Sequence, residues 1–321
     1  MHRQRWRAHR GRLSLNQLSV PDIATIELPF LPPFDWHAML NFFGSRSSAG
    51  VEAVEDGVYR RAIEWQNDSG TMQVHLHPRR ACLVVTLEGA VARHADALVE
   101  PLSRMFDTAT DPHDIHRCFS ADPWLAPLVE AAPGLRVPGA WSAFELVIRT
   151  VVGQQVSVKA ASTVTGRIVE RAGKRIEDHP HEGTAWRFPT PAALAAADLT
   201  GIGMPNKRIA TLQTVAAAVA SGALPLDDRH ADNATIRAAL LALPGIGPWT
   251  VEYVAMRALR DPDAWPASDL VLMNAILKHD PELKRPGQQK ARTETWRPWR
   301  AYAAIHLWHG FAALSGRVGG G

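Results

Sequence analysis

The chain has 321 residues, 46% of them hydrophobic, which is ample for packed cores and suggests two or three domains. No apolar run approaches the ~20 residues that cross a bilayer, so a membrane-spanning class is excluded. The net charge of +3 permits nucleic-acid binding without demonstrating it, and two separated cysteines, Cys82 and Cys118, cannot alone build an iron–sulfur or four-cysteine zinc centre.

Both cysteines have apolar neighbours and read as buried thiols rather than a disulfide. The N-terminus carries Arg3, Arg5, Arg7, Arg10 and Arg12 with no apolar segment behind them, so residues 1–26 read as a basic, flexible extension of a soluble intracellular protein. Residues 27–115 read as a mixed α/β domain. Asp35–Phe43 has helical spacing. Val58–Trp65, Thr71–His77 and Ala81–Leu87 have strand character, with Met72, Val74 and Leu76, then Leu83, Val85 and Leu87, keeping a period of two. The turns Asn67–Gly70 and His77–Arg80 make these runs an antiparallel meander.

Residues 116–321 read as all-helical. From residue 91 onward the spacing predicts helices over Val91–Phe106, Trp141–Val152, Ser157–Arg171, Pro191–Ala197, Pro205–Ser221, Thr235–Leu243, Pro248–Leu259, Leu270–His279 and Trp299–Leu314, with no further strand. Gly173–Pro191 is polar and reads as a surface loop or linker. A short echo links Leu199-Thr-Gly-Ile-Gly203 to Leu243-Pro-Gly-Ile-Gly247, too brief to define a repeat. The fold class is therefore α+β: an antiparallel sheet with helices, then an all-α region.

The informative stretch is Leu243-Pro-Gly-Ile-Gly-Pro-Trp-Thr250. One helix enters it and another leaves at Pro248, where a missing N–H is harmless. Gly245 and Gly247 allow a tight turn whose bare amides, with that of Ile246, suit a phosphate; an ordinary helical hairpin is the plainer alternative. Trp249 and Tyr253 stand four apart on the exiting helix, as core packing or as an electron-rich wall for a flat base, cationic bases included. Asp269 precedes the run Leu270–Leu277, which suits an N-cap. The same position favours an ionised carboxylate, as an oxocarbenium-like sugar transition state requires.

The run Leu243–Asp269 resembles the helix-hairpin-helix DNA glycosylases, and more of the chain resembles their bacterial 3-methyladenine, alkylation-repair branch. Phe34-Asp35-Trp36, Pro133-Gly-Leu-Arg-Val-Pro-Gly139, Val152-Gly-Gln-Gln-Val-Ser157, Gly203-Met-Pro205 and Trp296-Arg-Pro-Trp-Arg300 carry that likeness over about residues 27–315. The resemblance implies a helix-hairpin-helix at 234–259 and Asp269 as catalytic carboxylate. It implies a base pocket of Trp249, Tyr253, Trp308 and Phe42, and DNA contacts from Gly245, Ile246, Gly247 and a wedge at Gln155. It also implies a structural Na+ or K+ on the carbonyls of Leu241, Leu243 and Ile246, with no cofactor for the chemistry. Gln155 is polar where some relatives carry an apolar wedge, so it would hydrogen-bond the orphaned base. Leu270 and His309 stand where some relatives have tyrosines, which bears on the range of bases.

The expected function is a monofunctional glycosylase that flips alkylated purines out of double-stranded DNA and hydrolyses the N-glycosidic bond. The protein would act as a monomer in the bacterial cytoplasm, away from membranes. Two alternatives stand beside it: a non-catalytic helix-hairpin-helix DNA-binding module, and a glycosylase of other lesion range with lyase activity. Lyase relatives place their lysine two residues after the second hairpin glycine, and here that residue is Trp249.

Overall fold

The computed structural model describes residues 22–176, 182–226 and 231–314. Residues 1–21 of the basic extension lie outside them. The extension's expected boundary is too long, because a strand, β1 (Ile23–Pro29), begins inside it. The meander is larger than its three expected strands: β2 (Glu52–Glu55), β3 (Val58–Trp65), β4 (Asp68–Leu76) and β5 (Cys82–Gly89) follow in sequence. The sheet order is β1-β5-β4-β3-β2, antiparallel throughout.

Two tight turns set its register. Asp56 and Gly57 both adopt positive φ between the paired Glu55 and Val58. Gln66 and Asn67 do the same between Trp65 and Asp68. Paired positive φ angles match the right-handed twist of the flanking strands. The second turn is thus two residues at 66–67, and Asp68–Gly70, expected in the turn, are already strand. Tyr59, Met72, Val74, Leu83, Val85 and Leu87 face inward and bury against Met39, Leu40 and Phe43 of α1 (Trp36–Ser45). On the same side lie Leu98, Leu102 and Phe106 of α2 (Ala95–Phe106), which a short 3-10 turn at Ala90–His94 precedes.

The helical part has two cores. The first gathers α5 (Ala143–Val152), α6 (Val158–Ala172), α7 (Pro191–Ala196), α8 (Asn206–Ala220), α9 (Asn233–Leu241) and the first turns of α10 (Pro248–Arg257). Their contributions include Val147, Ile168, Leu194, Leu212, Leu240, Ile246 and Val254. The second gathers α3 (Pro112–Phe119), α4 (Leu125–Ala131), the end of α10, α11 (Leu270–His279) and α13 (Arg300–Leu314), through Phe119, Val129, Met256, Ile276 and Leu307. Helices α3, α4 and the polar α12 (Pro286–Glu294) were not expected from spacing. Because Ile115 and Phe119 of α3 pack into this second core, a domain boundary at 115 would cut through a helix.

Two further departures are small. Strands β6 (Lys174–Arg175) and β7 (Trp186–Arg187) pair where a loop was expected. Both cysteines are free as anticipated, but only Cys82 is buried; Cys118 is half-exposed. The short echo has a structural counterpart. Ile202 N–H donates to Leu199 O at 3.4 Å and Ile246 N–H to Leu243 O at 3.2 Å, with φ of +78° at Gly201 and +85° at Gly245. Among the described residues no helix is long and apolar enough to cross a membrane.

The sheet is bolted to the helical part by buried charge. Arg61 of β3 reaches Glu145 of α5 at 2.5 Å and Glu52 of β2 at 3.5 Å. Arg149, one turn along α5, reaches the same carboxylates at 2.9 and 2.7 Å, and Tyr59 Oη donates to Glu52 at 2.5 Å. Removing one member of such a network strands the others in a medium that cannot solvate them. The variant Glu145→Ala is therefore expected to lose about 3–5 kcal/mol in a denaturant melt. A loss below about 1 kcal/mol would reduce the network to the standing of surface pairs.

Candidate active site

The two helical cores meet along α10, and the expected site residues gather around it. Asp269 caps α11. Its Oδ1 accepts the N–H groups of Val271 and Leu272, each at 3.0 Å, and the indole N–H of Trp308 on α13 at 3.0 Å. Its Oδ2 accepts the indole N–H of Trp249 on α10, also at 3.0 Å. The cap and the functional reading of Asp269 are thus one arrangement. Three donors crowd Oδ1, whereas Oδ2 has one, so Oδ2 is the oxygen with acceptor capacity left for a reacting partner.

The aromatic residues form a continuous wall. Trp249 and Tyr253 stack with centroids 5.1 Å apart at 11°, and Tyr253 meets Trp308 edge-on at 6.3 Å. Because both indoles donate to one carboxylate, their ring planes are pinned to it. Phe42 reaches the same place from α1 through a residue that sequence reasoning missed. The Arg257 guanidinium lies 4.6 Å from the Phe42 centroid and 5.3 Å from that of Tyr253, and it donates to Tyr253 Oη at 3.0 Å. Its signal was available, since Arg257 stands one turn beyond Tyr253 on the same face of α10. Burial raises the Tyr253 pKa, but Arg257 and Arg46 outweigh it and hold the phenol below its ordinary value. Leu270, 69% exposed, and half-buried His309 flank the carboxylate and Trp308 in the chain.

The hairpin between α9 and α10 has two glycines with different constraints. At Gly245, φ is +85° and a Cβ would lie 2.3 Å from Thr211 Oγ1 on α8, so the turn itself requires glycine. Gly247 has φ −104°, and a Cβ there would meet nothing within 4 Å. The fold does not need glycine at 247, and the absence of a side chain leaves the helix start open to another molecule. The Leu243 carbonyl is engaged by Ile246 N–H, whereas no backbone N–H among the described residues donates to the carbonyls of Leu241 or Ile246. That set of neutral oxygens is compatible with a hard monovalent cation.

Gln155 sits in the turn between α5 and α6, exposed, with φ +58°, a strained setting for a residue with a side chain. Its neighbour Gln154 ties this turn to the hairpin, donating from Nε2 to Gly245 O at 3.2 Å and Thr250 Oγ1 at 3.3 Å. The structure thus brings Asp269, Trp249, Tyr253 and Trp308 together, joins Phe42 to Tyr253 through Arg257, and links the Gln155 turn to the hairpin. A larger groove of about 520 Å³, lined by Phe34, Trp36, Leu76 and Ala131, contains none of these residues.

Comparison with known proteins agrees with this arrangement. Residues 25–142 match the family described as AlkA N-terminal domain, and residues 148–301 match the HhH-GPD superfamily of base excision DNA repair proteins. The chain is 38% identical over 88% of its length to a Mycobacterium tuberculosis protein named probable bifunctional transcriptional activator/DNA repair enzyme AlkA, and spans only 56% of that relative. It is 34% identical to DNA-3-methyladenine glycosylase 2 of Escherichia coli, over 88% of this chain and 96% of that one. In fold it is similar to a 3-methyladenine DNA-glycosylase from Archaeoglobus fulgidus, with a TM-score of 0.76 at 20% identity, over 90% of this chain and 99% of the other. The caged carboxylate, the glycine hairpin and these likenesses agree, and the chain belongs to the HhH-GPD superfamily of base excision DNA repair proteins, in the branch with an AlkA N-terminal domain.

Proposed function

We propose that this protein is a monofunctional DNA glycosylase that flips a damaged purine of the 3-methyladenine type out of duplex DNA and hydrolyses its N-glycosidic bond. The observation that carries the reading is Asp269, a carboxylate held by four N–H groups beneath an aromatic wall. The amides of Gly245, Ile246 and Gly247 grip a backbone phosphate, with Leu241, Leu243 and Ile246 carbonyls available to a Na+ or K+ that stiffens the turn. The Gln155 turn enters the gap left by the extruded nucleotide, whose unstacking costs a few kcal/mol. The base lies against Trp249, Tyr253, Trp308 and Phe42. As the glycosidic bond lengthens, positive charge grows on the sugar, and Asp269 stabilises it electrostatically and orients the attacking water. The protein works as a monomer on cytoplasmic DNA.

The names of the relatives support base excision over a non-catalytic hairpin module, and so does a carboxylate that accepts four N–H groups beside an aromatic wall. Trp249 argues against a lyase. Its side chain cannot form an imine, and its N–H is committed to Asp269.

Three outcomes test this reading. Asparagine still caps a helix, so Asp269→Asn should fold and bind DNA normally while base excision falls by about a thousandfold or more. Excision within tenfold of wild type would remove Asp269 from the chemistry. Gly247→Val, which has room in the fold, should weaken binding to lesion and undamaged DNA alike by roughly tenfold, because phosphate contacts carry no base information. A changed lesion preference at unchanged affinity would contradict the clamp. Borohydride added during turnover should trap no protein–DNA adduct, with strand breaks appearing only after alkali; a trapped adduct in the wild-type protein would establish a Schiff-base lyase.

A further inference from the structure

Arg257 is 7% exposed and has no carboxylate within ion-pair distance among the described residues. Its bonds run instead to neutral oxygens: Nε to Pro138 O at 2.8 Å, Nη2 to Gly139 O at 2.9 Å, and Nη1 to Tyr253 Oη at 3.0 Å. This gives the Pro133–Gly139 motif a purpose, since two of its carbonyls seat the guanidinium. Gly139 must be glycine there, because a Cβ would lie 2.6 Å from Arg104 O. Arg46 adds a second cation, 4.0 Å from the Phe42 centroid, and it too lacks a carboxylate partner among the described residues. The nearby Glu52 and Glu145 are both engaged by Arg61 and Arg149. The cleft between these groups, lined by Phe42, Arg46, Gly139, Trp141, Arg149 and Arg257, holds only about 20 Å³. That is room for a water and not for a purine. A base bound on the aromatic wall therefore has the guanidiniums behind it.

A buried, unpaired charge is expensive, and stability alone gives no reason to keep one. Its position supplies one. The rings of Phe42 and Tyr253, which would attract a cationic base, are already within cation–π distance of the protein's own guanidiniums. We infer that Arg257, together with Arg46, is a specificity determinant that makes the inner wall of the base site electropositive, favouring damaged purines that are uncharged in DNA, onto which the electron pair of the breaking glycosidic bond places negative charge, over those that carry a fixed positive charge and depart neutral. A cationic alkylpurine then reacts because it is a good leaving group, not because the pocket attracts its charge. The depressed Tyr253 pKa fits the same field.

The inference rests on the base-excision reading, and the experiment separates the two. Specificity constants are measured on duplexes carrying one hypoxanthine or one 7-methylguanine, for wild type, Arg257→Met and Arg257→Lys. The neutral-to-cationic ratio should fall at least about tenfold in Arg257→Met and stay within about threefold of wild type in Arg257→Lys, which keeps the charge. If thermal melts show that Arg257→Met does not fold, Arg46→Gln decides, with the ratio expected to fall in the same direction. A ratio that stays put while both substrates slow equally would overturn the inference and leave Arg257 as a packing group. Release of neither base by the wild-type protein would instead overturn the glycosylase reading.

Discussion

One carboxylate organises the functional half of this molecule. Asp269 accepts N–H groups from its own helix and from indoles on two others, so α10, α11 and α13 must meet at a fixed distance and angle. The hydrophobic contacts of Met256, Ile276 and Leu307 bring those helices together, and the glycine turn at 245–247 sets where α10 begins. The polar cage and the apolar core are thus mutually dependent. Displacing Trp249 would loosen both the carboxylate and the Tyr253 ring stacked upon it.

Several local rules are broken within reach of that cage, and each departure suits handling a substrate. Gln155 accepts positive φ at an exposed turn, Arg257 buries an unpaired charge, and Leu270 leaves an aliphatic side chain in solvent beside the carboxylate. Each is unfavourable in isolation and tolerable because the three cores hold the surrounding backbone. Glu52, Arg61, Glu145 and Arg149 close ranks behind them, satisfying one another and leaving Arg46 and Arg257 with no carboxylate partner among the described residues.

Much of this was legible in the sequence, for physical reasons. The two-residue period of Met72–Leu76 and Leu83–Leu87 reports a half-buried sheet directly. Gly-Ile-Gly-Pro reports a turn that only small residues can make, and Asp269 before an apolar helix reports a cap. Elements with weaker periodic signals escaped. Strand β2 has four residues, and its Asp56-Gly57 hairpin turn was passed over. Strand β1 lies next to a basic tail, and α12 is polar on nearly every face, burying Gln289 and Thr293 rather than an apolar stripe. Arg257 was missed because its meaning lies in Phe42, Pro138 and Gly139, which are distant in sequence. Gln66-Asn67 shows the limit of composition, since neither residue is glycine yet both take positive φ.

The proposed function requires this caged carboxylate to make the protein a base-releasing enzyme and not merely a DNA clamp. The most direct measurement is to incubate the wild-type protein with randomly methylated duplex DNA and identify free bases in the supernatant by chromatography, while following strand integrity on a gel. Free methylated purines and an unbroken abasic strand are expected. Tight DNA binding with no free base would contradict it and leave the hairpin as a phosphate grip without chemistry.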